Sequence, residues 1–251
     1  MIGAMRIAVA GGTGLVGQHV VRALREAGHE PVVLARSTGV DLLAGTGLAL
    51  DGVDAVVDVA NVGTTSRERA VTFFEAVTSN LLAAEGAAGV RHHVVLSIVG
   101  IDRVDTGYYA GKRRQEEVAL AGPVPVTVVR ATQFHEFAAQ WLARVRGPLV
   151  PVPRMLMQPV AAREVGAALA ALAPGEPLGR APEVAGPATL DLVDAVRRVV
   201  AARGERRVVV PLPVPGAAGR AMRSGGLLPT DGLPRSGQSF EEWLAQTGGA
   251  L

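Results

Sequence analysis

Tyr108 and Lys112 lie four residues apart, and this pair is the strongest chemical signal in the sequence. Residues at that spacing share one face of a helix, so a phenol and an ammonium would lie side by side. A phenol can donate a proton, and a neighbouring ammonium lowers the pKa of the phenol. Lys112 is also the only lysine among the 25 basic residues. Because arginine would serve equally well as a solvated charge, a lysine at this position indicates a chemical role.

The segment from Gly11 to Gly17 is a second candidate site. Its glycines follow the pattern Gly-x-x-Gly-x-x-Gly between an apolar predicted strand and a predicted helix. In that context glycines allow a tight turn, a close approach of the backbone to a diphosphate, and close packing of the helix on the sheet. The N–H groups of the first helical turn would face the anion. The residues predicted to bind a dinucleotide in this loop are Gly11, Thr13, Gly14, Leu15, Val16 and Gly17.

Arg36 indicates which dinucleotide would bind. It follows the second predicted strand, residues 31–35, where an acidic residue would bind the adenosine ribose and a basic residue would bind a 2′-phosphate. No carboxylate is present at that point of the sequence, and a guanidinium can bind a phosphate through two hydrogen bonds. The sequence therefore favours NADP(H) over NAD(H), with a solvated surface arginine as the alternative.

A parallel sheet would position these groups, and the rest of the sequence predicts one. Apolar strands near residues 5–10, 31–35, 54–60, 91–97 and 126–130 alternate with helices near 15–27, 65–89, 108–120 and 133–145. Such alternation predicts an α/β fold of Rossmann type, with a doubly wound parallel sheet. From about residue 147 the pattern loosens, although helices are predicted at 162–172, at 190–202 and after Ser239. We expect an NAD(P)-binding core over residues 1–146 and a small C-terminal substrate-binding portion over residues 147–251.

Composition restricts the remaining possibilities. A chain of 251 residues with 49% apolar residues can bury a substantial core. No apolar run reaches the ~20 residues that cross a bilayer, and zero cysteines exclude disulfides, thiolate metal sites and cysteine nucleophiles. A net charge of +2 with scattered basic residues argues against nucleic-acid binding, and the five histidines show no metal-binding pattern. We expect a cytoplasmic protein with a small-molecule substrate and no metal, membrane or nucleic-acid partner, which could form a homodimer.

The sequence resembles the short-chain dehydrogenase/reductase superfamily, in its atypical or extended, NmrA-like NAD(P)-binding branch. The resemblance extends over about residues 5–173 and keeps the family order. The family has an asparagine in the helix before the serine-bearing strand. In this sequence Phe74 or a neighbour occupies that position, and Asn80 is the nearest asparagine. The matching segments are Val9–Gly17, Asp41–Leu42, Gly52–Asn61, Val94–Ser97 and Tyr108–Lys112.

The resemblance implies an oxidoreductase that transfers a hydride between a nicotinamide and a carbonyl or alcohol substrate. Tyr108 would protonate the developing alkoxide, and Lys112 would position the nicotinamide ribose. Ser97, at the end of its predicted strand, would donate a hydrogen bond to the same oxygen. These three residues are the predicted catalytic set.

The resemblance also implies cofactor contacts outside the glycine loop. Asp41 would accept a hydrogen bond from the adenine amino group, although it could instead cap a helix. Leu42 would flank the adenine ring. Ala60 and Asn61 would line the cofactor beyond the end of their strand.

Two alternative functions remain open. One is a non-catalytic regulator that senses NADP(H), as some relatives with weakened catalytic sets do. The other is a sugar-nucleotide epimerase or dehydratase, for which Arg154, Arg180 and Arg220 are weak candidates to bind a second diphosphate. A hydrophobic aldehyde, ketone or quinone fits better, because the candidate pocket residues are largely apolar, although core packing explains each of them as well. These residues are Val99, Ile101, Gln133, Phe134, His135 and Met155 to Met157.

Overall fold

A computed structural model describes residues 3–231 and 237–250 as two compact units. The first unit draws its described residues from Met1–Ile98, Thr106–Arg130 and Arg163–Pro182. The second draws them from Val99–Asp105, Ala131–Ala162 and Glu183–Leu251. The chain therefore passes between the units several times. The two units are not separated at residue 146, so the expected division into residues 1–146 and 147–251 stays a prediction.

The elements alternate as the sequence indicates. The strands are β1 (Arg6–Ala10), β2 (Glu30–Leu34), β3 (Ala55–Asp58), β4 (His92–Ile98), β5 (Val126–Ala131), β6 (Leu149–Pro153), β7 (Leu156–Met157), β8 (Gly179–Arg180), β9 (Leu190–Asp191) and β10 (Val208–Leu212). The helices are α1 (Gly17–Glu26), α2 (Arg67–Ala88), α3 (Gly107–Ala121), α4 (Glu136–Arg144), α5 (Ala162–Leu172), α6 (Leu192–Ala202), α7 (Gly216–Arg223) and α8 (Phe240–Thr247). A short 3₁₀ turn, Arg36–Thr38, follows β2.

The first unit is built on a six-stranded sheet in the order β2-β1-β3-β4-β5-β8. Strand β1 pairs in parallel with both β2 and β3, so the direction of the strand order reverses beside β1. Ligands of open α/β sheets bind outside the carboxyl ends of the strands at such a reversal. The Rossmann-type fold predicted from the alternation is confirmed, and the sheet places the glycine loop after β1 next to the segment after β3.

Helices α2 and α3 pack against each other beside this sheet. Ser66 caps α2 by accepting a hydrogen bond from the backbone N–H of Arg69, and Thr106 caps α3 through the N–H of Tyr109. Each cap satisfies an N–H group that the helix leaves unpaired. The start of α3 is the important boundary, because it places the candidate tyrosine in the first helical turn.

The second unit contains two small sheets, with β6 parallel to β10 and β7 antiparallel to β9. Helix α6 packs on β6, β10 and α4. His135 is fully buried and contacts the rings of Phe240 and Trp243 at centroid distances of 5.8 and 5.9 Å. The structure thus favours core packing for His135. Among the helices that the structure describes, none is long and apolar enough to span a membrane.

Candidate functional site

The glycine loop lies between the end of β1 and the start of α1. A Cβ atom on Gly17 would lie 2.2 Å from the carbonyl oxygen of Gly11, so the helix approaches the loop as closely as only glycine allows. Gly11 itself has a positive φ of 80° and lies against the backbone of Ala60. The N-cap residue of α1, Val16, provides no side-chain cap. The N–H groups of Gln18 and His19 already donate to the carbonyl oxygens of Gly14 and Val16, so an anion would bind the N–H groups that precede them in the loop. The loop therefore fits the pyrophosphate of a dinucleotide.

The groups predicted to contact the adenosine half lie beyond β2. Arg36 begins the 3₁₀ turn with an exposed side chain, and no hydrogen bond or ion pair joins its guanidinium to another described residue. The carboxylate of Asp41 accepts hydrogen bonds from the N–H groups of Leu43 and Ala44 at 3.0 Å, so it closes a local turn instead of capping a helix. Asn80 donates from its side-chain amide to the carbonyl oxygens of Leu42 and Leu43. Asn80 thereby holds this loop.

Tyr108 contacts the segment after β3. Its hydroxyl donates a 2.7 Å hydrogen bond to Oδ1 of Asn61, and its ring meets Phe74 edge to face at a centroid distance of 5.7 Å. Burial, with a smaller contribution from Tyr109, raises the pKa of the phenol above its ordinary value. This direction is opposite to the lowering expected from Lys112. The raised pKa favours the protonated form of the phenol, which is the form that can donate a proton.

Lys112 belongs to a buried polar chain. Its ammonium donates to the carbonyl oxygen of Leu96 at 2.7 Å and to Oε1 of Gln115 at 2.5 Å. Nε2 of Gln115 in turn donates to the carboxylate of Asp58 at 2.8 Å. Burial lowers the pKa of Lys112 to about 8, although the negative charges of Asp58 and Glu116 oppose that shift. The ammonium also lies 4.5 Å from the centroid of the Phe74 ring, and its third N–H makes no hydrogen bond to another described residue.

Ser97 lies in a different network from the one predicted for it. Ser97 is buried, with 2% of its surface exposed, and its hydroxyl donates to the carboxylate of Glu116 at 2.5 Å. Arg130 and Arg180 each bind the other oxygen of the same carboxylate at 2.7 Å. Although burial would raise the pKa of Glu116, the hydrogen bonds from Arg130, Ser97 and Arg180 hold it below its ordinary value. The serine therefore links β4 to α3 through a carboxylate whose charged form is favoured.

Sequence reasoning missed the four residues of these networks, Asp58, Gln115, Glu116 and Arg130. Asp58 carried a usable signal, because a carboxylate inside an otherwise apolar strand must find partners when it is buried. Gln115 and Glu116 follow Lys112 by three and four residues, which puts them near the same helix face. No pattern in the sequence indicated that Arg130 would reach Glu116 from β5.

The family model for NAD-dependent epimerases and dehydratases matches residues 7–124. A (4-alkanoyl-5-oxo-2,5-dihydrofuran-3-yl)methyl phosphate reductase from Streptomyces griseus is 33% identical over 201 residues, which cover 72% of this chain and 68% of the reductase. The chain belongs to the short-chain dehydrogenase/reductase superfamily. This superfamily includes NAD-dependent epimerases, dehydratases and reductases, as the two comparisons illustrate. The NmrA-like branch stays a prediction.

Solved structures of the superfamily share this fold over most of the chain. A short-chain dehydrogenase/reductase protein from Agrobacterium tumefaciens with bound NAD aligns with a TM-score of 0.70 at 19% identity, covering 97% of this chain and 96% of that one. The protein RMD from Pseudomonas aeruginosa, in complex with NADPH, aligns with a TM-score of 0.62 at 19% identity, covering 83% and 85%. These identities show the fold alone. Together with the glycine loop they support a nicotinamide cofactor, whereas the preference for NADP(H) stays a prediction.

Proposed function

We propose that this protein is an NADP(H)-dependent oxidoreductase that interconverts a small, largely apolar carbonyl compound and its alcohol. One observation carries the proposal: an unbroken set of contacts joins the glycine loop to the hydroxyl of Tyr108. Gly11 lies against the backbone of Ala60, the next residue is Asn61, and Asn61 accepts the hydrogen bond of Tyr108. A cofactor on the glycine loop would therefore extend along β3 toward an acid.

The reduced nicotinamide, when bound, supplies a hydride to the carbonyl carbon. Tyr108 then transfers its phenolic proton to the oxygen that gains the electron pair of the C=O bond, and the phenolate recovers a proton from water. Lys112 acts as a binding group, because its remaining N–H can donate to a ribose hydroxyl while Leu96 and Gln115 fix the other two.

The cofactor preference and the substrate class rest on separate features. The exposed guanidinium of Arg36, without a partner among the described residues, supports a contact with the 2′-phosphate of NADP(H). The relative from Streptomyces griseus is named a reductase of an alkanoyl-substituted dihydrofuranone phosphate. Such a molecule contains a ketone and an alkyl chain together with a conjugated C=C bond and a charged phosphate. The relative therefore supports a carbonyl-containing substrate and does not support its apolar character.

Tyr108→Phe tests the proposal. Loss of NADPH absorbance would be followed with an aromatic aldehyde, an aliphatic ketone, a quinone and the alkanoyl dihydrofuranone phosphate. The wild type should turn over at least one of these probes, and the variant should lose at least about 100-fold in kcat, the usual contribution of a positioned acid. NADPH binding, measured by fluorescence, should change less than threefold by the same reasoning.

Three outcomes have distinct meanings. Retained turnover in Tyr108→Phe would refute the assignment of the acid. Tight NADPH binding by a wild type that reduces none of the probes would favour the regulator that senses NADP(H). Release of water or inversion at carbon in a sugar nucleotide, without net consumption of NADPH, would favour the epimerase or dehydratase.

A further inference from the structure

The donor predicted to assist Tyr108 is committed elsewhere. The Ser97 hydroxyl has one proton, and it donates that proton to Glu116, whose charge is stabilised by two arginines. A hydrogen bond from a hydroxyl to a carboxylate is stronger than one to a neutral carbonyl oxygen. Ser97 would have to exchange the better acceptor for the worse one to reach a substrate. A second donor for the substrate oxygen must come from another residue.

Asn61 has such a donor, and its orientation is fixed. The backbone N–H of Val62 donates to one side-chain atom of Asn61 at 2.8 Å, and the Tyr108 hydroxyl donates to the same atom at 2.7 Å. A backbone N–H can only donate, so this atom is the carbonyl oxygen Oδ1. The other end of the amide is therefore the NH₂ group. It is exposed and has no partner among the described residues.

The NH₂ group of Asn61 and the phenol of Tyr108 lie close enough to share one acceptor. The phenolic oxygen is 2.7 Å from Oδ1, and Oδ1 and Nδ2 are bonded to the same carbon, so the phenolic oxygen and Nδ2 are at most about 5 Å apart. One oxygen atom at hydrogen-bond distance from both can therefore accept from the Tyr108 hydroxyl and from Nδ2. Two convergent donors at the position of a developing negative charge form the usual arrangement of an oxyanion site.

We propose that Nδ2 of Asn61 is the second hydrogen-bond donor to the substrate oxygen, in the place that the sequence assigns to Ser97. This inference rests on the proposed function. Before substrate binds, the Tyr108 hydroxyl donates to Oδ1 of Asn61. When substrate binds, the hydroxyl turns to the substrate oxygen, which exchanges one neutral acceptor for another. When hydride reaches the carbonyl carbon, the hydroxyl proton moves to the substrate oxygen while Nδ2 stabilises the charge that develops on it. Asn61 itself neither gains nor loses a proton.

The experiment compares Asn61→Ala with Asn61→Asp on whichever carbonyl probe the wild type reduces. The introduced carboxylate keeps an acceptor for Tyr108 but lacks a donor, so both variants should lose about 100-fold or more in kcat/KM, the usual loss for one such donor. Asn61→Asp should recover activity relative to the wild type as the pH falls toward about 4, the ordinary pKa of an aspartic acid, because a protonated carboxyl group regains a donor. A purely structural role would not produce this recovery.

A second readout is independent of turnover. The chain contains two tyrosines, so Tyr109→Phe leaves one tyrosine, and carbon-13 labelling at the tyrosine Cζ gives a single signal from Tyr108. Asn61→Ala should shift this signal by removing the hydrogen bond. Asn80→Asp, a substitution at the only other asparagine, should leave the signal in place.

The outcomes separate this inference from the proposed function. Without any wild-type turnover both proposals fail. If the wild type is active, the donor role of Asn61 is refuted when kcat/KM of both variants stays within about threefold of the wild-type value. Loss of such a donor would cause a larger change. It is also refuted if the Tyr108 signal does not respond to Asn61→Ala. A full loss in Asn61→Ala without acid recovery in Asn61→Asp would overturn the donor role.

Discussion

The pKa of Lys112 provides a quantitative test of the candidate site. The ammonium is buried, and burial lowers its pKa from 10.5 to about 8. Each pKa unit corresponds to about 1.4 kcal/mol, so folding with a charged lysine costs about 3 kcal/mol relative to the unfolded chain. Below about pH 8 the buried ammonium lowers the free energy of unfolding by this full amount. The reduction disappears as the pH rises and the ammonium deprotonates.

The sign of the pH dependence follows from proton binding. Between about pH 8 and 10.5 the unfolded chain holds more protons at this residue than the folded chain does, so stability increases with pH. From about pH 7 to 9.5 the gain is about 2 kcal/mol. Lys112→Met should not show it. The variant also leaves Leu96 and Gln115 without their donor, which lowers its stability at every pH. The test is therefore how the difference in unfolding free energy between the wild type and Lys112→Met changes with pH.

Urea unfolding of both proteins at several pH values measures this difference, in which the contributions of other titrating groups cancel. Direct titration is also possible, because a chain with one lysine gives one side-chain lysine signal when labelled at Cε. Its midpoint should lie near pH 8, and the affinity for NADPH should decrease over the same range. A midpoint at about 10 or above, or a stability difference that does not vary with pH, would refute the reasoning.

Three further substitutions test other parts of the site. Asp58→Asn should lower the pKa of Lys112 further, because it removes a negative charge that opposes the shift. The titration midpoint of the Lys112 signal measures this change, and a midpoint moved to higher pH would contradict it. Arg36→Ala should reduce kcat/KM for NADPH by ~10- to 100-fold, the value of one hydrogen bond between charged groups, and equal losses with NADH would contradict a 2′-phosphate contact. Gly17→Ala should raise the Kd of NADPH at least about tenfold because its Cβ meets the loop at 2.2 Å, whereas Gly63→Ala, with nothing within 4 Å of its Cβ, should bind normally.

The first βαβ unit could be predicted from the sequence because its signals are local. The apolar run before Gly11, the glycine spacing and the helical periodicity up to Ala27 each depend on residues within a few positions of one another. The boundaries agree to within one or two residues for β1, β2 and α1 at its C-terminal end. The Tyr-x-x-x-Lys spacing is local in the same sense.

The partners of the candidate residues could not be predicted, because they depend on how distant segments meet. Ser97 bonds to Glu116, 19 residues away, and Tyr108 bonds to Asn61, 47 residues away. Neither of these separations along the sequence is one that the regular repeat of a single helix or strand would bring into contact. The pairing of β6 with β10 also joins segments about 60 residues apart, and the proline-rich sequence around it gave no periodic signal. Such contacts follow from the tertiary structure.

The burial of Lys112 has a further consequence for the surface. With the one lysine internal, every other basic side chain is an arginine, and a guanidinium stays charged at any pH that a protein tolerates. Lysine acetylation therefore cannot alter the surface charge of the folded protein, and amine-directed labels or crosslinkers have no lysine to modify unless the fold opens. Reaction of Lys112 with such a reagent, and its prevention by bound NADPH, would report on opening of the site itself.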